Sequence, residues 1–317
     1  MNDEQSYQAR RYRMRICVES LRLLSVLICC TLIGCPRNAG NRIGHYRQGG
    51  SYSGGGPAIS PDGTFVLFSS PRTGNGDIYR VNFNGTNVLR LTNDVACECD
   101  AECSPDGASI AYIREGKGQS QIWIMNADGT GQRQLTSSRG DKGGPKFSPD
   151  GSKIVFYRTE PVLENKIGVF RAWELYSVEI NTGMETRLTD NQVKDLCPTY
   201  SPDGNSLAFT RDDQISTMSL DGTHFQRLGA GWQPVFSPDG KQIAASVGTF
   251  SRQIDIINID GSERRTIYSK NTRVSHPVFM PDGLAILFME EPKATGVGNI
   301  IFAPLDGADV KVVYHTF

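Results

Sequence analysis

The chain is poor in the residues that most catalysis requires. Four histidines, His45, His224, His276 and His315, are spread over 317 residues. No Gly-x-Ser-x-Gly elbow occurs, and no glycine loop leads from a strand into a helix, so serine-hydrolase and phosphate-loop readings find no support. Charge is balanced, with 33 basic against 34 acidic residues and a net charge of −1. A general electrostatic field for nucleic acid is therefore absent. The apolar run from Leu23 to Ile33 has eleven residues. It is too short to cross a hydrocarbon layer of about 30 Å, which needs about 20.

What is present is a repeat. Ser60-Pro61-Asp62-Gly63 returns at Ser104, Ser148, Ser201 and Ser237, and a sixth copy, Met280-Pro281-Asp282-Gly283, lacks only the serine. The intervals are 44, 44, 53, 36 and 43 residues, the period of a propeller blade. The motif is turn chemistry: proline presets φ, aspartate bonds nearby backbone, and glycine accepts the left-handed region. Six equivalent copies make its aspartate structural rather than catalytic.

Each copy is followed by an apolar strand such as Phe65-Val66-Leu67-Phe68 or Ile154-Val155-Phe156-Tyr157. Next comes an alternating segment such as Gln121-Ile122-Trp123-Ile124-Met125. A second tight turn follows, Asn84-Gly85, Asp128-Gly129, Asn181-Thr182-Gly183, Asp221-Gly222, Asp260-Gly261 or Asp306-Gly307. A last strand ends in Arg90-Leu91-Thr92, Gln134-Leu135-Thr136, Arg187-Leu188-Thr189 or Arg227-Leu228. The expected fold is an all-β, six-bladed β-propeller of four-stranded antiparallel blades, in which ring closure hides most sheet edges. Val310 to Tyr314 is expected to supply the last strand of the sixth blade, leaving the segment around His45-Tyr46-Arg47-Gln48 loose or as an extra edge.

The order Ser-Pro-Asp-Gly, apolar strand, Ile-Tyr-like strand, Asp-Gly, Arg-x-Leu-Thr resembles the TolB-type propeller repeat over residues 53–317. TolB carries an α/β domain before its propeller, and the span from Cys35 to Ser60 is too short for one. The resemblance thus implies a propeller-only relative, and TolB's own partners do not transfer with the fold.

The first residues read as an export signal. Arg10, Arg11, Arg13 and Arg15 form a basic region, the apolar run follows, and Leu32-Ile33-Gly34-Cys35 resembles the bacterial lipobox. Glu19 and Arg22 shorten the apolar core. The expectation is a lipoprotein signal over 1–35 with lipidation at Cys35, a tether over 36–52 and the propeller over 53–317.

Both tight turns of every repeat fall on one face. The longer, variable connections share the other, where function is expected. Four residues before each turn serine, or before Met280, stand Gly56, Asp100, Gly144, Cys197, Gln233 and His276. Asp100, Cys197, Gln233 and His276 are therefore expected to point at the central axis. Such side chains could bind a metal or make a polar, water-filled mouth. Some propeller lyases acting on uronates hold a metal there with several histidines, and this ring offers one.

Cys97, Cys99 and Cys103 crowd one connection; a disulfide between Cys99 and Cys103 or between Cys97 and Cys103, unpaired thiols, or a metal site are the alternatives. The largest insertion, Arg158 to Trp173, carries Phe170, Arg171 and Trp173. With Arg139, Lys142, Trp232 and Lys293 it forms a candidate partner surface. The alternative is that the loop folds back and buries its aromatics. The reading reached is a non-catalytic protein- or peptide-binding scaffold of the cell envelope. It is lipid-anchored, needs no cofactor, and takes an envelope protein or peptide at its variable-loop face and no nucleic acid. A metal-dependent lyase-like enzyme or a small-ligand or glycan binder at the channel mouth is the alternative.

Overall fold

The computed structural model describes residues 56–70, 76–116, 119–160, 163–165, 168–170, 172–191, 193–248, 251–291 and 299–315, with side chains left out at 163–170 and 313–315. Among them there are strands and turns and no helix. The first blade holds β1 (Ala58–Ile59), β2 (Phe65–Ser70), β3 (Asp77–Asn82) and β4 (Leu89–Arg90). The second holds β5 (Glu98–Cys103), β6 (Ser109–Glu115), β7 (Ser120–Asn126) and β8 (Arg133–Gln134). In the third, β9 (Lys142–Phe147) and β10 (Lys153–Thr159) are followed by a small hairpin, β11 (Leu163–Asn165) and β12 (Gly168–Phe170), before β13 (Trp173–Glu179) and β14 (Glu185–Arg187) complete the sheet. The fourth is β15 (Asp195–Tyr200), β16 (Ser206–Arg211), β17 (Gln214–Ser219) and β18 (Gln226–Ala230). The fifth is β19 (Trp232–Phe236), β20 (Gln242–Val247), β21 (Gln253–Asn258) and β22 (Arg265–Ser269). The sixth is β23 (Arg273–Phe279), β24 (Ala285–Glu291), β25 (Asn299–Pro304) and β26 (Lys311–His315). Every blade is an antiparallel sheet made from one continuous stretch of chain. The protein is a six-bladed β-propeller. The C-terminal strand β26 pairs with β25 as expected. Residues 45–48 lie outside the described residues.

The repeated turns are built alike. The glycine N–H donates to the serine carbonyl, or that of Met280, at 2.8–2.9 Å, and each glycine sits at φ 70–75°. In the five serine copies Oγ donates to the aspartate at 2.5–2.7 Å and accepts the N–H five residues on at 2.9–3.0 Å. These bonds satisfy backbone donors that the turn would otherwise orphan. The Leu-Thr endings have a parallel role: the hydroxyls of Thr92, Thr136 and Thr189 accept the N–H groups of Ile78, Ile122 and Leu175 at 2.9–3.0 Å. Each ties an outer strand to the strand inside it.

Between neighbouring blades lies an apolar layer, and there are six such layers. Phe156, Phe209 and Phe288 are fully buried in them. Each such side chain contributes about 1.5–3 kcal/mol. The layer that closes the ring joins Val66, Phe68 and Tyr79 of the first blade to Leu287, Met289 and Phe302 of the sixth. On the turn face, a Cβ on Gly63 would stand 3.9 Å from Pro281, and one on Gly107 would stand 3.9 Å from Pro61. The same relation links Gly151 to Pro105, Gly204 to Pro149, Gly240 to Pro202 and Gly283 to Pro238 at 3.5–3.9 Å. The glycine of each turn motif therefore faces the proline of a neighbouring copy all the way round.

Candidate functional site: the channel mouth

The six aligned positions meet. Gly56, Asp100, Gly144, Cys197, Gln233 and His276 all line one cavity of about 220 Å³ at the channel mouth. They do not begin their strands, as the sequence suggests. In β5, β9, β15 and β23 the strand starts earlier, and the ring residue sits at an interruption of the ladder. β19 has the same interruption one residue in. Such β-bulges leave extra residues unpaired and re-aim side chains. Asp100, Gly144, Cys197, Gln233 and His276 take φ of 53°, 58°, 51°, 55° and 54°. Left-handed backbone costs a non-glycine residue about 1–2 kcal/mol. Four non-glycine residues are thus held under strain with their side chains at the cavity. The residue after the ring position is Pro57, Pro145, Pro198, Pro234 or Pro277 in five blades. A bulge tolerates proline because no ladder N–H is needed there.

Ring side chains reach to the next blade. Asp100 Oδ2 accepts the Gly144 N–H at 3.3 Å, and Gln233 Oε1 accepts the His276 N–H at 2.8 Å. That second bond fixes the Gln233 amide, so its Nε2 faces His276 Nε2 at 2.9 Å and donates to it. The imidazole proton is therefore on Nδ1, 3.0 Å from Ser275 Oγ. Both ring nitrogens are occupied. Burial holds the His276 pKa down to about 4, with Asp100 opposing and Lys146 and Arg273 assisting, so the ring is neutral at pH 7. Cys197 lies on the channel surface, and burial followed by Asp100 pushes its thiol up to about 12. Cys99 and Tyr157 are pushed up by the same two causes in the same order. Neither cysteine is a thiolate at neutral pH.

Several lining residues were not singled out by the sequence. Lys146 forms an ion pair with Glu102 two residues past their ring positions. Tyr157 closes the apolar run of β10, where it reads as core; what brings it to the cavity is its pairing with Gly143 beside the β9 bulge, which the sequence does not show. Arg273 reaches Glu291 at 3.7 Å. Trp232, assigned to the partner surface, lines the mouth itself.

The remaining expectations divide. Arg139 is exposed in the connection between β8 and β9, on the variable-loop face. Lys142 is not a surface residue: it is fully buried, and its Nζ donates to the carbonyls of Ser138 at 2.6 Å and Gly140 at 3.0 Å. Trp173 is half-buried and packs edge-on against Tyr157, with ring centroids 5.5 Å apart. Phe170 lies in β12 with its side chain outside the described residues, as are Arg171, Lys293 and Cys35. The brace between Cys99 or Cys97 and Cys103 does not form, since Cys99 and Cys103 carry free thiols, as does Cys197. Cys99 and Cys103 stand on one strand on either side of its bulge, where even three extended residues span about 10 Å, beyond the reach of a disulfide. Cys97 is disulfide-bonded.

The blades and their turns match a known model. The family model described as the TolB beta propeller domain matches residues 48–172 and 171–308. The chain belongs to the TolB β-propeller domain family. TolB from Acinetobacter baumannii is similar at 20% identity and a TM-score of 0.62, over 83% of this chain and 66% of that one. An oligogalacturonate lyase solved in complex with manganese is similar at 14% identity and a TM-score of 0.57, over 78% of this chain and 88% of that one. Likeness at these identities concerns the fold. An uncharacterized protein of Agrobacterium fabrum strain C58 is 29% identical over 133 residues, 36% of this chain. The chain spans 45% of the length of that relative.

Proposed function

We propose that this TolB-family propeller is a non-catalytic binding scaffold of the bacterial cell envelope. Residues 1–35 serve as a lipoprotein signal with Cys35 as the lipidated residue, 36–52 as a tether, and the variable-loop face as the docking surface for a peptide or a periplasmic protein domain. The observation that carries this is the ring of four strained, non-glycine residues around one cavity. Strain kept at one place in a repeated scaffold points to use. A cavity of about 220 Å³ has room for roughly one large side chain, given that about 150 Å³ holds a benzene. The rim loops would then meet the rest of the partner.

The lyase-like alternative is less well supported. His276 is the one histidine of the ring, and Gln233 and Ser275 occupy its nitrogens. Among the described residues no three His, Cys, Asp or Glu side chains group as a metal-ligand set.

The test is recovery of one identified protein from envelope extracts. It should come down with the wild type and with Lys241→Ala on the turn face, and be lost with Trp232→Ala or with residues 160–172 shortened to a turn. Recovery independent of both changes would overturn the reading. So would stoichiometric metal in the purified protein that disappears in His276→Ala. Lipidation is checked separately by loss of labelled fatty acid in Cys35→Ala.

A further inference from the structure

The charges around the cavity do not cancel. Glu102 is matched by Lys146, and Arg273 faces Glu291. Among the described residues Asp100 has no ion pair; its carboxylate takes one long bond, from the Gly144 N–H at 3.3 Å. Its field nevertheless reaches across the mouth. It adds to burial in raising the thiols of Cys99 and Cys197 and the hydroxyl of Tyr157, and it opposes the burial of His276; Lys146 acts against it at Cys197, and Lys146 and Arg273 act against it at His276. Glu115 lines the same mouth and acts with the same sign on Cys99.

We propose that the channel mouth receives a cationic group, the ammonium or guanidinium of a lysine or arginine side chain presented by the docked partner, with Asp100 as its counter-ion. This rests on the scaffold reading and names the chemistry of what enters. The bulge sets Asp100 apart from the β5 ladder, in a left-handed conformation that aspartate tolerates better than most residues. Gln233 and His276 form a neutral pair whose polar atoms are engaged with each other, so they put no competing positive charge opposite Asp100. Tyr157 and Trp232 supply aromatic surface to the same cavity, which favours a cation over a neutral polar group. A neutral ligand would desolvate the half-buried Asp100 without replacing the hydrogen bonds of its water, which is unfavourable. An anionic ligand would meet like charge.

The probes are N-acetyl-lysinamide and N-acetyl-argininamide, compared with the matching glutamine and glutamate amides by ligand-observed NMR and calorimetry on the full chain. Both basic amides should bind at least tenfold more tightly than the other two, with affinity falling as salt rises. Asp100→Gly keeps the left-handed backbone free of strain while removing the side chain, so it should fold and lose at least tenfold of the basic-amide affinity. Asp100→Asn should do the same. Equal binding of glutamine and lysine amides, no binding of any amide to the wild type, or undiminished lysine-amide binding in Asp100→Gly would each overturn the proposal. The two readings fail separately. A partner still held in full by Asp100→Gly removes the cation site and leaves the scaffold; basic-amide binding that depends on Asp100, with no envelope partner recovered, does the reverse.

Discussion

Gly56 lies beneath the His276 side chain: a Cβ on residue 56 would fall 2.1 Å from the His276 Cβ and 2.4 Å from its Cγ. The first and sixth blades therefore meet at the channel mouth through a glycine that only a bare α-carbon can fill. Gly56→Ala should destabilise the propeller by about 1–3 kcal/mol, the range for forced overpacking. Because the clash begins at the His276 Cβ, His276→Ala cannot relieve it, whereas His276→Gly can. In urea melts the Gly56→Ala/His276→Gly double variant should be more stable than the sum of the two single losses predicts. Additive losses would show that the two residues are not coupled in this way.

The serine of the turn motif is predicted to carry measurable stability. Ser148 Oγ donates to Asp150 Oδ1 at 2.6 Å and accepts the Lys153 N–H at 2.9 Å. Ser148→Ala removes both bonds and should cost about 1–2 kcal/mol. The Ser148 hydroxyl is also the largest cause holding the exposed Asp150 carboxyl down to about 2. A carboxylate depressed on folding adds stability above its unfolded value near 4 and loses it as pH falls toward 2. The gap between wild type and Ser148→Ala should therefore narrow on acidification across that window. A constant gap would leave the backbone bond as the sole contribution. The sixth copy is a natural comparison: Met280 offers no hydroxyl and packs its side chain against the closing apolar layer instead.

How much of this could be read from the chain depends on how local the physics is. The Ser-Pro-Asp-Gly turn is decided by four adjacent residues, so blade number, turn face and ring alignment follow from its spacing. The ring follows from counting back from Ser104, Ser201, Ser237 and Met280, yet its bulges do not, because a bulge shows only in the pairing of β5 with β6 and its equivalents. The cysteine spacing is uninformative for a related reason: Cys99 and Cys103 are close in sequence but stand apart on one strand, on either side of its bulge. Lys142 reads as a surface anchor because nothing nearby announces that backbone carbonyls will take its ammonium; Trp173 reads either way, and its packing against Tyr157 follows the fold-back alternative.

A comparison between blade boundaries predicts a pH dependence. Where the third blade meets the fourth, Asn191 Nδ2 donates to Asp195 at 2.8 Å, and Arg211 grips Asp195 with two bonds of 2.6 Å. Where the first meets the second, Asp94, Glu98 and Arg114 occupy the matching positions. Aspartate cannot donate as asparagine does, and Arg114 pairs with Asp94, reaching Glu98 only at 3.5 Å. Both Glu98 carboxylate oxygens are buried without a well-formed hydrogen bond. Burial pushes Glu98 up to about 7; the Thr92 hydroxyl and Arg90 oppose this, and Asp77 adds to it. An acid raised on folding keeps its proton between its unfolded value near 4.5 and its folded one near 7, so stability falls as pH rises through that window. Glu98→Gln should flatten this part of the melting-temperature profile. Asp94→Asn, which restores a donor beside Glu98, should do so in part. A wild-type slope retained in Glu98→Gln would place its origin in another group.

Lys142 yields the reverse dependence. Its ammonium is fully buried and pins the Ser138–Gly140 segment through two carbonyls. Desolvation draws its pKa down to about 8, with Arg158 acting the same way and Glu185, Asp141 and Glu160 opposing. A lysine that holds its proton less firmly when folded than when unfolded makes the fold more stable as pH rises from about 8 toward 10.5, because only the unfolded chain is still charged there. Lys142→Met preserves length and apolar volume while removing both the charge and its donors. Relative to this variant, the wild type should gain melting temperature between pH 8 and 10, a difference that cancels the titration of all other lysines and tyrosines. At pH 7 the variant should show faster amide exchange across residues 138–141, where two carbonyls lose their partner. Parallel pH profiles together with unchanged exchange would mean that the buried ammonium neither titrates early nor holds the loop.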